Sequence, residues 1–161
     1  MTSAPGQGTT FAIYLPRTAP AVAAETAPAA RPVGGAETVL VVEDEQLVLD
    51  LTATMLERLG YAVLAARSGR EAIAIAQEHP WPIDLVVTDV VMPDLNGREL
   101  YAEVARLRPG VGVLYVSGYS AEVLAPRGVI PSDVQFLQKP FAFAELAERV
   151  RAALAATTAT P

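Results

Sequence analysis

Residues 38–44 read TVLVVED, a short apolar run that ends in two adjacent carboxylates. Two later stretches follow the same plan: IDLVVTD at 83–89 ends in an acid, and VQFLQKP at 134–140 ends in a lysine and a proline. Continuously apolar strands are buried on both faces, as in a parallel sheet that helices cover on either side. The three stretches therefore predict buried parallel strands with charged residues at their carboxyl ends.

From Glu37 onward, short apolar segments alternate with amphipathic ones. The predicted strands cover 38–43, 61–66, 83–88, 112–117 and 133–138. The predicted helices cover 45–58, 69–78, 97–107, 120–126 and 142–155. This alternation with short links predicts an α/β fold: a doubly wound, five-stranded parallel sheet with helices on both faces and right-handed crossovers.

Local signals predict the ends and the faces of these helices. Gly60 is expected to end the first helix, and Ser68 and Asn96 are the expected N-caps of the second and third. In the first helix, apolar residues recur at helical spacing and predict its buried face: Leu47, Leu51, Met55 and Leu59.

Changes in composition divide the chain into four parts. Residues 1–16 form a separate short segment, and residues 17–36, rich in alanine and proline, predict a semi-extended linker. The α/β domain is expected at 37–156, and residues 157–161 are expected to be frayed.

Composition also narrows the classes of function. The chain has 161 residues, enough for one compact domain with tails, and it has no cysteine for disulfides or thiolate metal sites. A formal net charge of −6 argues against a surface for nucleic acid or anionic membrane. Because there is also no membrane-length apolar run and no signal-peptide pattern, we expect a cytoplasmic protein without nucleic-acid or membrane contact.

Residues able to do chemistry lie at the predicted carboxyl ends of strands, the edge where open α/β sheets bind ligands: Glu43, Asp44, Asp89, Ser117 and Lys139. Three carboxylates brought together repel one another, and a divalent cation relieves the repulsion. With oxygen ligands only, Mg²⁺ is favoured over Zn²⁺. One carboxylate can then attack phosphorus, and Asp89, which precedes the turn-rich segment VVMPDLNG, is the best candidate.

Lys139 is the single lysine among 12 basic residues. A compact ammonium at a strand end suits the neutralisation of charge on a transferring phosphoryl group. Taken singly, each feature has an ordinary interpretation: an acidic pair can be a solvated strand end, a lysine a surface cation, and Phe136 a plain core residue. Only the joint pattern favours a phosphoryl-accepting site.

Residues 37–155 resemble the receiver domain of bacterial two-component response regulators. The resemblance rests on spaced motifs: the pair Glu43-Asp44, the loop TDVVMPDLNG at 88–97, Ser117, Phe136 and the sequence KPF that begins at Lys139. It implies a flavodoxin-like sheet with strand order 2-1-3-4-5 and a role in phosphorelay signal transduction. It also implies a histidine kinase or histidine phosphotransfer domain as phosphodonor or acceptor, and a monomer or weak dimer.

The resemblance assigns the acceptor and the metal ligands. Asp89 would receive the phosphoryl group from a phosphohistidine. Mg²⁺ would be held directly by Asp44 and Asp89, through a water by Glu43, and by the carbonyl of Val91.

It also assigns the groups around the phosphoryl group. Lys139, Ser117 and the amides of Val91 and Gly118 would hold the phosphoryl oxygens. Inward movement of Ser117 on phosphorylation would free space for Phe136 to rotate inward, changing the surface around the fourth helix and fifth strand.

Residues 6–16, GQGTTFAIYLP, resemble the last glycine box and final strand of the ATP-binding domain of histidine kinases. Phe11, Ile13 and Leu15 alternate with other residues, which predicts a half-buried strand with no partner nearby. The other boxes of that domain are missing, so this segment is not expected to bind ATP. We expect a remnant of a kinase domain and a chain that is the C-terminal part of a hybrid sensor histidine kinase, without the kinase catalytic parts.

Two other functions fit parts of the pattern. An aspartyl-phosphate phosphohydrolase would use the same nucleophile, but haloacid-dehalogenase-type enzymes place a second Asp two residues later, where this chain has Val91. Tyr119 would add bulk near the path of an attacking water, so we expect a long-lived phosphoryl group. A non-phosphorylated interaction scaffold is disfavoured because every chemical position is filled.

Overall fold

The computed structural model describes residues 2–10, 12, 14, 35–120 and 134–158, and the chain divides into two units, Met1–Ala30 and Arg31–Pro161. Nearly all of the predicted helix at 120–126 and of the predicted linker at 17–36 lies outside the described residues. In the described part of the chain, no helix is both long and apolar enough to cross a membrane.

The first unit contains a β-hairpin. Strand β1 (Thr2–Ala4) pairs antiparallel with β2 (Gly8–Thr10). Pro5 and Gly6 make the connecting turn, in which Gly6 has a φ of 75° and a 3.1 Å backbone hydrogen bond closes the turn, as in type II turns. The Pro-Gly turn directs the chain back on itself, so Gly8–Thr10 has a partner strand. The alternating apolar residues that predicted a strand without a partner, Phe11, Ile13 and Leu15, lie outside the described residues, so that strand stays a prediction.

The second unit is built on a five-stranded sheet. In chain order its strands are β3 (Thr38–Val42), β4 (Ala62–Ala66), β5 (Leu85–Asp89), β6 (Gly112–Ser117) and β7 (Gln135–Gln138). They lie in the order β4-β3-β5-β6-β7, and each neighbouring pair is parallel. Counted within the unit this order is 2-1-3-4-5, so the predicted doubly wound α/β fold is confirmed. The carboxyl ends of β3 and β5 are immediate neighbours.

The helices described in this unit are α1 (Gln46–Arg58), α2 (Gly69–Glu78), α3 (Gly97–Leu107) and α4 (Phe143–Thr158). The prediction is wrong at the C-terminal end, where α4 continues through two residues of the expected frayed tail. The Thr157 hydroxyl donates a hydrogen bond to the Ala153 carbonyl (3.0 Å). It also lies in the space that a Cβ at Gly112 would fill, so packing against β6 supports the last helical turn.

The expected helix ends are confirmed. Gly60 ends α1 with a φ of 93° and the paired backbone hydrogen bonds of a Schellman motif. The Ser68 hydroxyl accepts a hydrogen bond from the Glu71 amide (3.2 Å), and the Asn96 side chain accepts one from the Glu99 amide (2.9 Å). These caps fix where α2 and α3 begin.

Apolar side chains pack on both faces of the sheet. One cluster joins α1 and α4 to the sheet, and a second joins α2 and α3 to it. The predicted buried face of α1 is partly wrong: Leu49, Thr52 and Leu56 face the core, whereas Leu47 and Leu51 are 78% and 55% exposed. Polar Thr52 interrupts the apolar residues on the buried face. In the sequence, the helical spacing of the exposed leucines is therefore more regular than that of the buried residues.

Candidate functional site

Three carboxylates meet at the carboxyl edge of the sheet. Glu43 and Asp44 follow β3, and Asp89 ends the adjacent strand β5. One carboxylate oxygen from each residue lies within 4.8 Å of the others. Glu43 is buried, Asp89 is partly buried and Asp44 is exposed. The predicted acidic cluster therefore exists, with one member open to solvent.

Lys139, which follows β7, reaches the same cluster. Its Nζ donates a hydrogen bond to Asp89 Oδ2 (2.6 Å) and another to Glu43 Oε2. Its backbone amide donates to the Ser117 carbonyl (2.8 Å), which ties the lysine to the end of β6. The ammonium thus bridges two of the three acids, a pairing that the sequence did not predict.

For Glu43 and Lys139, burial and the contact with an oppositely charged partner shift the pKa in opposite directions. Burial raises the pKa of Glu43, the charge of Asp89 raises it further, and the hydrogen bond and charge of Lys139 oppose both; the net direction is upward. Burial alone lowers the pKa of Lys139, but hydrogen bonds to Asp89 and Glu43 outweigh it and the pKa is raised. The lysine therefore stays cationic at neutral pH.

The donor set fits Mg²⁺. Three carboxylates face one ammonium, so the cluster keeps a net negative charge even with both ion pairs formed. Its donors are oxygens only, and Asp44 is accessible from solvent, as a partly hydrated Mg²⁺ requires. Glu43, Asp44 and Asp89 are therefore able to hold such an ion together.

The loop after β5 supplies a donor to the acceptor candidate. The Val91 amide donates a hydrogen bond to Asp89 Oδ1 (2.9 Å). Ser117 is buried at the end of β6, beside β5, and its hydroxyl accepts a hydrogen bond from the Tyr119 amide (3.2 Å). An added Cβ at Gly118 would meet no described atom within 4 Å, so its backbone borders open space.

Phe136 is connected to the site through packing. It lies on β7 opposite Tyr115 and is half-buried in a cluster that includes Val90, the residue after Asp89. Within that cluster Tyr101 and Tyr115 meet edge to face, with ring centroids 6.4 Å apart. The predicted switch residue therefore belongs to a cluster that borders the end of β5.

Gly97, which was predicted to begin the third helix, also lies against the residue that ends β5. A Cβ there would lie 2.4 Å from the Asp89 carbonyl oxygen and 3.1 Å from the methyl group of Thr88. The Gly97 amide also donates a hydrogen bond to the Val90 carbonyl (3.1 Å). Only a residue without a side chain lets α3 begin this close to β5.

Replacing Gly97 by alanine is expected to destabilise the domain by about 1–3 kcal/mol, because the added methyl group overlaps backbone that cannot turn aside. Urea unfolding measures the effect. Gly118→Ala, where the added Cβ meets no described atom, is the matched control. Equal stability of Gly97→Ala and wild type would contradict the close approach.

Asp94 is an exposed residue of the loop after β5. Its carboxylate accepts hydrogen bonds from the amides of Gly69 (3.4 Å) and Arg70 (3.2 Å), at the start of α2. The spacing of the sequence carries no signal for this contact, because the two segments are 25 residues apart.

Exposed apolar side chains flank the cluster. Leu47 lies in the first turn of α1, shortly after Asp44, and Leu51 lies one turn later. Val91 and Tyr119, 54% and 58% exposed, each lie two residues after a site residue. The carboxyl edge therefore combines a charged cluster with apolar surface.

Known families and proteins match the part of the chain that carries these residues. The model of the family described as response regulator receiver domain matches residues 39–151. The sensor kinase CckA of Brucella abortus (strain 2308) is 38% identical over 157 residues, which cover 91% of this chain and 16% of that kinase. This chain therefore spans a small part of that relative. The response regulator receiver protein CpdR of the same strain is 30% identical over 118 residues, covering 73% of this chain and 97% of CpdR.

Solved structures agree with these sequence matches. The receiver domain from the hybrid histidine kinase CckA superimposes with a TM-score of 0.61 at 37% identity, covering 73% of this chain and 98% of that domain. A response regulator receiver protein from Sinorhizobium medicae WSM419 gives a TM-score of 0.65 at 31% identity, covering 76% of this chain and 97% of that protein.

Proposed function

Because the chain belongs to the response regulator receiver domain family, we propose that Asp89 is the residue that accepts a phosphoryl group from a phosphohistidine. A receiver domain acts in two-component phosphorelays, and this chain is one. The observation that carries the assignment is the double contact of Asp89, with Lys139 Nζ at 2.6 Å and with the Val91 amide at 2.9 Å. A carboxylate held by these two donors can share both with an incoming phosphoryl group.

In the proposed transfer, a carboxylate oxygen of Asp89 attacks phosphorus. A phosphorus–oxygen bond forms while the bond from phosphorus to the histidine nitrogen breaks, and its electron pair stays on that nitrogen. The Lys139 ammonium and the amides of Val91 and Gly118 stabilise negative charge on the phosphoryl oxygens.

The metal has a defined place in this proposal. Asp44 and Asp89 would hold Mg²⁺ directly, Glu43 would act through a water, and the Val91 carbonyl would be a further ligand. When bound, Mg²⁺ supplies positive charge that offsets the charge of the phosphoryl oxygens. The oxygen-only cluster of three carboxylates supports this assignment.

Ser117 and Phe136 are proposed as the switch. The Ser117 hydroxyl would exchange its hydrogen bond from the Tyr119 amide for one to a phosphoryl oxygen. Because Phe136 packs in the cluster that contains Val90, movement at the end of β5 and β6 would alter its environment.

We also propose that the chain derives from a hybrid histidine kinase and works in the cytoplasm with a histidine kinase or a histidine phosphotransfer domain. The similarity to sensor kinase CckA covers 91% of this chain, more than the receiver match at 39–151, and so extends beyond the receiver domain. This supports the interpretation of residues 1–16 as a remnant of a kinase ATP-binding domain. The parent protein would then be the enzyme, and this chain its phosphoryl acceptor.

Incubation with acetyl phosphate and Mg²⁺ tests the proposal. We expect a phosphoryl adduct that survives acid and is lost in base, as an acyl phosphate is. Chelation of Mg²⁺ with EDTA should suppress its formation. Absence of any adduct would refute the acceptor function.

Transfer from a protein donor is expected to depend on the apolar surface beside the site. The double variant Leu47→Ser/Leu51→Ser should accept phosphoryl groups from autophosphorylated Brucella abortus CckA about tenfold more slowly, because a donor must cover these side chains to reach Asp89. Its rate with acetyl phosphate should not change. Trp81→Ser is the control, since Trp81 is also exposed (69%) but precedes β5 and lies at the opposite edge of the sheet. An equal loss in the control would refute a specific donor surface.

A further inference from the structure

We propose that Asp94 is a positioning residue for phosphoryl transfer. Its carboxylate fastens the loop after Asp89 to the first turn of α2, and this attachment holds the Val91 amide in place to donate to the acceptor carboxylate. The inference rests on the proposed acceptor role of Asp89 and adds a residue that is neither a metal ligand nor a phosphoryl ligand.

The backbone amides that open α2 find their acceptors in two different segments. The Ser68 hydroxyl, in the helix's own N-cap, accepts from the Glu71 amide. The two preceding amides, of Gly69 and Arg70, donate to Oδ1 and Oδ2 of Asp94. Helix N-termini need such acceptors, and a negative charge there is further favoured by the helix dipole. Asp94 therefore completes the cap of α2 from the loop that carries the acceptor site.

The neighbouring residue makes a second attachment to the same turn. Leu95 packs against Gly69 so closely that a Cβ on that glycine would lie 2.8 Å from the Leu95 Cβ. Leu95 is also packed against the buried cluster between the sheet, α2 and α3. The start of α2 thus holds two successive loop residues: Asp94 through hydrogen bonds to its carboxylate, and Leu95 through close packing.

The far end of the loop is fixed against the acceptor itself. Gly97 begins α3 directly on the Asp89 carbonyl, and its amide donates to the Val90 carbonyl (3.1 Å). The loop from Val90 to Asn96 is therefore anchored at both ends, and Val91 lies within it. The exposed Val91 side chain offers little packing of its own, so its amide is positioned by the buried neighbours Val90 and Met92 together with these anchors.

The charge of Asp94 suits a permanent anchor. Its slight burial raises the pKa, but the hydrogen bonds from the Arg70 and Gly69 amides outweigh that effect, and the pKa of Asp94 is lowered. The carboxylate is therefore ionised throughout the neutral range in which phosphoryl transfer is measured. Small displacements of a preorganised donor reduce reaction rates strongly, so loss of this anchor should slow transfer more than it weakens the fold.

Three variants separate positioning from stability. Asp94→Ala removes both acceptors, Asp94→Asn keeps an acceptor oxygen, and Ser68→Ala removes an acceptor of the same helix without touching the loop. We expect Asp94→Ala to lower the initial rate with acetyl phosphate and Mg²⁺ by about tenfold. Asp94→Asn should recover most of the rate. The rate of Ser68→Ala should stay within about twofold of wild type, although its melting temperature should fall as much as that of Asp94→Ala.

The amide resonance of Val91 gives a readout that does not require phosphorylation. In ¹H–¹⁵N spectra, Asp94→Ala should shift the Val91 cross-peak and speed its hydrogen exchange, whereas Ser68→Ala should leave both unchanged. Unaltered Val91 resonances, or equal rate losses in Asp94→Ala and Ser68→Ala, would overturn the positioning role. If wild type takes up no phosphoryl group at all, the acceptor function fails, while the Val91 spectra still decide whether Asp94 anchors the loop.

Discussion

Replacing Asp89 by asparagine is expected to reduce formation of the acid-stable, base-labile phosphoryl adduct by on the order of a thousandfold or more, because an amide oxygen is a poor nucleophile toward phosphorus. The substitution keeps the size of the side chain and leaves Lys139 its second partner, Glu43. Labelling with acetyl phosphate and Mg²⁺, followed by intact-mass analysis, measures the loss. Asp50→Asn, on the exposed surface of α1, is the matched control and should be labelled like wild type. An adduct of normal yield in Asp89→Asn would assign the acceptor to another residue.

The same variant should also change the response of stability to Mg²⁺. Mg²⁺ at 100 times its Kd stabilises a folded protein by about 2.7 kcal/mol, which appears as a higher melting temperature. Because Asp89 contributes one of three carboxylates within 4.8 Å, its loss should weaken binding and shrink that increase. A full Mg²⁺ response in Asp89→Asn would indicate that the ion binds elsewhere.

Replacing Lys139 by methionine is expected to slow phosphorylation by acetyl phosphate by about a hundredfold, the usual cost of removing one preorganised donor to a developing negative charge. Methionine keeps an unbranched apolar stem but lacks the ammonium that contacts Asp89 and Glu43. Lys139→Arg should restore little of the rate, because a planar guanidinium does not reproduce a compact ammonium between two carboxylates. Initial rates at a fixed Mg²⁺ concentration measure both effects.

Lys139→Met should bind Mg²⁺ more tightly than wild type, whereas Asp89→Asn should bind it more weakly. The Lys139 side chain is only partly exposed, at 19%, and its ammonium contacts two of the three clustered acids, so its removal leaves a more negative cluster. We expect lower stability in metal-free buffer and a larger Mg²⁺-induced rise in melting temperature than in wild type. A wild-type phosphorylation rate, or a smaller rise with Mg²⁺, would contradict the role given to Lys139.

The sequence predicted the fold because its strands are short, apolar and regularly spaced. It also predicted that Glu43, Asp44, Asp89 and Lys139 would lie together, since the carboxyl ends of parallel strands share one edge. The partners of each group were not predictable: Lys139 contacts Glu43 as well as Asp89, and both contacts depend on side-chain reach across the sheet.

Other features depend on contacts that have no local signal. Thr52, buried on α1, lines a small cavity with Glu43 and Asp89, so a polar residue occupies a position where periodicity favours an apolar one. Asp94 is an exposed loop residue, yet it caps a helix that begins 25 residues earlier. Both exceptions lie next to the acceptor site, where function constrains residue type more than packing does.

Reduction of the phosphorylated protein with sodium borohydride tests the central assignment most directly. An acyl phosphate on aspartate is reduced to homoserine, and peptide mass mapping locates the converted residue. Our account predicts homoserine at position 89 only, dependent on prior treatment with acetyl phosphate and Mg²⁺. A reduced carboxylate at Glu43 or Asp44 instead, or none in protein that carries the phosphoryl adduct, would contradict the account.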